Sequence, residues 1–185
     1  MQLTLDKAKD ILKKHTTEDH LFTHAAAVSA AMGAMAEHFG EDKEHYAAVG
    51  YLHDVDYEKF PTEHCGHVRE LLADENIDES DIRAIISHGS GLTMSDVEPT
   101  TNMEKSLFAV DELTGIVHAY ALMRPEGFDG MTVKSLKKKF KDKRFAAGCN
   151  RDVITKGCEK LGLPLETVME CCIKGMTEHK NELGF

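Results

Sequence analysis

Apolar residues recur on a helical period along almost the whole of this chain, and no stretch shows the β-branched alternation of a strand. Leu5, Ala8, Ile11 and Leu12 share one face of a helix over 4–15. Thr16 or Thr17 then caps a long helix to about Phe39, whose inner stripe is Leu21, His24, Ala25, Val28, Ala31, Met32, Met35 and Phe39, with Gly40 as its stop. Further helices are expected from about Asp42 to Leu52, over 64–74, and from Asp78 or Ser80 to His88. Thr101-Asn102-Met103-Glu104 reads as a capping box that opens a long helix to about Met123. A basic helical segment at 132–144 and helices near 150–161 and 164–180 complete the chain. Pro164 suits the first turn of the last of these. The expected fold class is all-α.

Apolar residues make up 42% of 185 positions, enough to bury one core, so a single domain over 1–185 is expected. A formal net charge of -10 argues against general nucleic-acid binding and against an anionic membrane surface. The longest uncharged apolar stretch, 25–36, is too short to span a bilayer. The five cysteines form no C-x-x-C pair, and the first residues show no signal-peptide pattern. Reduced thiols and a cytoplasmic location are therefore expected. Cys171-Cys172 falls on the apolar positions of the last helix and reads as core.

The informative residues are the polar ones that sit where core belongs. The run Tyr46-Ala47-Ala48-Val49-Gly50-Tyr51-Leu52 ends in His53-Asp54, which delivers a histidine and a carboxylate to the inner end of a buried segment. His24 lies on the apolar stripe of its helix, and Asp111 lies one turn after Leu107 and one turn before Gly115. His88 ends the helix carrying Ile82, Ile85 and Ile86. An unpaired buried carboxylate is too costly to keep, so several such exceptions in one small domain point to one shared cation.

The order His24, His53-Asp54, Asp111 resembles the H…HD…D signature of the HD-domain superfamily, and the text Val49-Gly50-Tyr51-Leu52-His53-Asp54-Val55-Asp56 is similar to its strongest motif. The resemblance covers roughly 18–122, leaving 123–185 as a C-terminal helical extension. It implies a helical bundle and a metal-dependent phosphohydrolase of the HDIG type. Its substrate would be small and phosphorylated, a nucleotide or related phosphoester. It also implies a ligand set of His24, His53, Asp54 and Asp111. Dinuclear members add two histidines, for which His64 and His88 fit, with His67 competing for the first place. Asp54 would then bridge, with His24, His53 and Asp111 on one metal and His64 and His88 on the other. Imidazole plus carboxylate suits one or two of Mn, Fe, Co, Ni or Zn, with Mg a further option.

One position departs from the family's HDxxE pattern: Tyr57 stands where many hydrolytic members carry a carboxylate. Catalytic work beyond the metal therefore falls to Asp54 and to the flanking Glu58 or Asp56, which could also be plain solvated charges. The departure keeps open a di-iron oxygenase on the same ligands. A nucleotide-binding regulatory module and a purely structural helical protein are further alternatives. For holding substrate phosphate the candidates are Arg124, Lys137, Lys138 and Arg151, although Val133, Leu136 and Phe140 also make the basic segment read as an ordinary amphipathic helix. The loop 89–101 is a candidate lid or a plain connector. His20 and His118 lie near proposed ligands and read as ordinary histidines.

Overall fold

A computed structural model describes residues 1–185. It contains nine α-helices and no strand: α1 (Leu5–His15), α2 (Asp19–Phe39), α3 (Lys43–Leu52), α4 (Val68–Leu72), α5 (Glu79–Ser87), α6 (Asn102–Met123), α7 (Val133–Lys141), α8 (Arg151–Leu161) and α9 (Leu165–Glu178). Two short 3-10 turns, Pro61–Glu63 and Lys180–Leu183, complete it. The fold class is all-α.

The expected helices form, with local differences. Thr4 rather than a helical residue opens α1, accepting from the Lys7 amide at 3.2 Å. The Thr101 capping box forms, and Glu104 also accepts from the Thr100 and Thr101 amides at 2.9 and 3.1 Å. Neither Thr16 nor Thr17 caps α2, which starts at Asp19 and lacks a side-chain cap of its own. The carboxylate of Glu58, forty residues away, takes the Thr17 and Glu18 amides at 2.9–3.0 Å instead. The helix expected over 64–74 shrinks to α4, because His64 and Cys65 leave helical geometry; Cys65 has φ +70°.

Helix α2 is the centre of the molecule. Every residue from Ala25 to Ala36 is buried, so this helix is covered all round rather than on one stripe. Its alanines let neighbours approach closely. A Cβ on Gly50 of α3 would lie 2.9 Å from Met32 Cγ, and one on Gly175 of α9 would lie 2.2 Å from the Ala30 carbonyl oxygen. Gly157 of α8 sits equally close to Ala109 of α6, where an added Cβ would be 2.5 Å from the Ala109 Cα. One continuous core runs from Leu3 to Leu183 and includes Val168, Met169, Cys172 and Met176 of α9, so 123–185 is built into the same core as the rest. No helix is long and apolar enough to cross a membrane.

Gly175→Ala tests this packing. Alanine is the better helix former by about 1 kcal/mol. The clash meets backbone that cannot rotate away, so overpacking should win, with a net loss of about 1–3 kcal/mol in urea unfolding. An unchanged or raised midpoint would contradict the close α2–α9 contact.

Candidate metal centre

Four helices and one loop bring the site together. His24 comes from the second turn of α2, His53 and Asp54 from the end of α3, His88 from the end of α5, and Asp111 from the middle of α6. His64 comes from the loop before α4. Close packing of α3 on α2 at Gly50, three residues before His53, sets how near these groups lie.

The ring orientations are fixed from behind. His53 Nδ1 donates to the Gly50 carbonyl at 2.7 Å, and His88 Nδ1 donates to the Ile85 carbonyl at 2.5 Å. A carbonyl only accepts, so both Nδ1 atoms carry the proton. His64 Nδ1 donates to the buried Asp56 carboxylate at 2.7 Å. All three rings thereby present Nε2 to the interior, as a metal-ligating histidine does when its other ring nitrogen donates to a carbonyl or carboxylate.

The Nε2 atoms meet two carboxylates. His24 Nε2 and His53 Nε2 are 3.2 Å apart, and Asp111 Oδ1 lies 2.9 and 3.2 Å from them. Asp54 Oδ2 faces the same pair at 3.5 and 3.2 Å. The other oxygen, Asp54 Oδ1, faces His64 Nε2 at 3.0 Å and His88 Nε2 at 3.4 Å, and those two nitrogens are 3.1 Å apart. Asp54 thus stands between two histidine pairs. Nitrogen lone pairs turned toward each other at this range repel unless a cation lies between them. The donor set of imidazoles and carboxylates fits a divalent metal.

A family model described as an HD domain matches residues 21–116, more than half of the chain. The chain belongs to the HD-domain family. No curated protein and no solved structure matches it. In this HD domain the matched segment begins just before His24 and ends just after Asp111, so it spans all six residues of the cluster.

His24, Asp54, His64 and Asp111 line a cleft of about 380 Å³ together with Tyr57, Glu112 and Cys149. His53 and His88 lie buried behind them at no more than 5% exposure, whereas the side chains of His24, Asp54 and Asp111 keep 21–29% exposed. Tyr57 packs edge-on against His64, with centroids 5.3 Å apart. Burial opposes charge on all these groups, but mutual attraction overrides it. Asp54 and Asp111 raise the His53 pKa to about 9. Asp54 and Asp56 push His64 up to about 12, and the histidines hold both Asp54 and Asp111 well below the usual carboxylate range.

Several expected site residues lie elsewhere. His67 does not join the cluster; it stacks on Phe60 and pairs with Glu63 and Glu70. Glu58 is occupied by the Thr17 and Glu18 amides just before α2. Asp56 is fully buried behind His64 and also accepts from the His67 amide, so it orients a ring rather than facing the cleft. Arg124 donates to the Gly127 and Asp129 carbonyls of its own turn. Arg151 is consumed by the carbonyls around 139–149, among them Phe140, Ala146 and Cys149. Lys137 pairs with Glu166, and Lys138 is exposed on the outer face of α7. None of these four cations lines the cleft. His118 packs against Phe185, and His20 lines the cleft rim beside Leu21. The loop 89–101 folds back on itself through Thr93, which bonds the Gly89 carbonyl, and touches the His64 carbonyl through the Met94 amide. Two nearby groups escaped the sequence reading: Glu112, masked by its neighbour Asp111, and Cys65, which no periodicity marks.

Protons and a metal compete for the same Nε2 lone pairs. A pKa of about 9 at His53 means that metal binding below pH 9 must expel a proton, so affinity should rise as pH rises toward that value. Zinc titrations by calorimetry in two buffers of different ionisation enthalpy should give buffer-dependent heats that report proton release. Identical heats, or affinity that falls with rising pH, would contradict this cluster as the binding site.

Proposed function

We propose that this HD domain is a metal-dependent phosphohydrolase acting on a small phosphorylated substrate, a nucleotide or related phosphoester. The observation that carries the reading is Asp54, whose two oxygens each face a separate histidine pair at the base of an open cleft. The cleft is lined by Asp54, Asp111 and Glu112 and by no lysine or arginine. Such a surface repels phosphate unless cations sit among its ligands, so anion recognition and metal binding go together here.

A bound divalent metal would lower the pKa of water and neutralise the non-bridging phosphate oxygens. The six proposed ligands are His24, His53, Asp54, His64, His88 and Asp111. The chain's own contribution is orientation and proton handling. Gly50, Ile85 and Asp56 hold the imidazole rings so that Nε2 faces inward. Glu112 is the cleft carboxyl outside the proposed ligand set. Burial and the neighbouring charge of Asp111 raise its pKa, which suits it to hold a proton at its carboxyl oxygen and pass it to the leaving oxygen. Its other oxygen accepts from the Asn150 amide at 3.2 Å and fixes the side chain.

Tyr57 favours a second reading, a di-iron oxygenase on the same ligands, because it occupies the place of the family's usual hydrolytic carboxylate while lining the cleft. A screen of phosphomonoesters, phosphodiesters and nucleotides with Mn, Co, Ni, Zn and Mg under anaerobic conditions separates the two. Phosphate or nucleoside release is expected, with Glu112→Gln lowering kcat by about 10²–10⁴-fold at unchanged metal content. No hydrolysis with any metal, or full activity in Glu112→Gln, would refute the respective assignments. Oxygen-dependent turnover with bound iron alone would support the second reading.

A further inference from the structure

Cys65 sits beside one half of the cluster. It is 5% exposed, and its Sγ lies 3.9 Å from His88 Nε2. His64 Nε2 lies 3.1 Å from that same nitrogen, so two consecutive residues reach one atom. Neighbouring side chains ordinarily point apart. Here they converge because Cys65 takes a left-handed backbone conformation, φ +70°, which is uncommon for any residue but glycine.

The space for the sulfur is also built in. A Cβ on Gly89 would lie 2.7 Å from Cys65 Sγ and 2.2 Å from Thr93 Oγ1, so only glycine at this position leaves the thiol where it is. A strained backbone, a side-chain-free neighbour and a buried imidazole therefore act together to aim one sulfur at His88.

We infer that Cys65 is a thiolate donor to the cation held by His64, His88 and Asp54 Oδ1. The inference rests on reading the cluster as a metal site, not on what the enzyme hydrolyses. Two donors of one ion can be no further apart than the sum of their bond lengths. With zinc that limit is about 4.4 Å for sulfur and nitrogen and about 4.2 Å for two nitrogens. The observed 3.9 and 3.1 Å lie within it. On coordination the thiol proton leaves to solvent, and a sulfur–metal bond forms without any change of oxidation state.

The two halves of the cluster then differ in kind. His24, His53, Asp111 and Asp54 Oδ2 offer only nitrogen and oxygen. His64, His88 and Cys65 add a soft sulfur, which favours Zn, Co or Fe over Mg or Mn at that half. The site would take a mixed metal pair more readily than a uniform one.

Cobalt titration of the full chain reads this directly. Wild type should develop a near-ultraviolet thiolate-to-cobalt charge-transfer band as it fills. Cys65→Ser and Cys65→Ala should lose the band, while Cys149→Ser, which removes the thiol that lines the cleft, should keep it. Loss of outer-shell partners alone typically weakens metal binding about 10–100-fold, so loss of this direct ligand should weaken one of the two cobalt sites by at least about tenfold. Unchanged circular dichroism would show that the variants fold. Zinc-edge X-ray absorption on unaltered wild type supplies a variant-free check, with a sulfur neighbour expected. Two bound cobalts without a thiolate band, a band that survives in Cys65→Ser, or no cobalt binding at all would each overturn the inference. Phosphate release without a thiolate band would sink it alone. A thiolate band without phosphate release would sink the hydrolase reading alone.

Discussion

Two backbone carbonyls govern this molecule's chemistry. Gly50 and Ile85 accept the Nδ1 protons of His53 and His88 and so turn both Nε2 lone pairs toward other nitrogens and toward Asp54. Left alone, that arrangement is unfavourable, because lone pairs face lone pairs beside buried carboxylates. It becomes favourable once positive charge occupies the space between them, supplied by protons or by metal. The pKa values follow from this competition, with the imidazoles raised and the carboxylates lowered against the opposing effect of burial.

Helix packing makes those short distances hold. Alanines along α2 bring α3 and α9 into near-backbone contact, and Gly50 serves both purposes, as the contact point with Met32 and as the acceptor for His53. A side chain at Gly50 would displace the end of α3 and with it the His53-Asp54 pair. The chain's last helix contributes no ligand, yet through Gly175 it presses α2 into place. Site and core are in this sense one construction, which is why the segment beyond the matched family region belongs to the same core.

Much of this was legible in the sequence because burial leaves a signature. His24 and Asp111 stand out on apolar helical faces, and the structure brings them within 2.9 Å of each other across 87 residues. Legibility fails where periodicity fails. His64 and His67 lie outside regular helix; the chain turns left-handed at Cys65 between them, His64 enters the cluster and His67 pairs with Glu70. Charged side chains were misread for a different reason. Composition shows a charge but not its partner: Arg151 is committed to loop carbonyls and Glu58 to the amides of the segment just before α2. The capping box at Thr101 was readable because both of its halves are local.

The central claim is that Asp54 stands between two cations. Anomalous diffraction at the cobalt edge, from crystals grown with cobalt, tests it most directly. Two peaks are expected, one on each side of the Asp54 carboxylate, about 3.5–4 Å apart. No peak within reach of His24, His53, His64, His88 and Asp111 would contradict the metal centre, and a single peak with His64 and His88 left unligated would contradict the bridge.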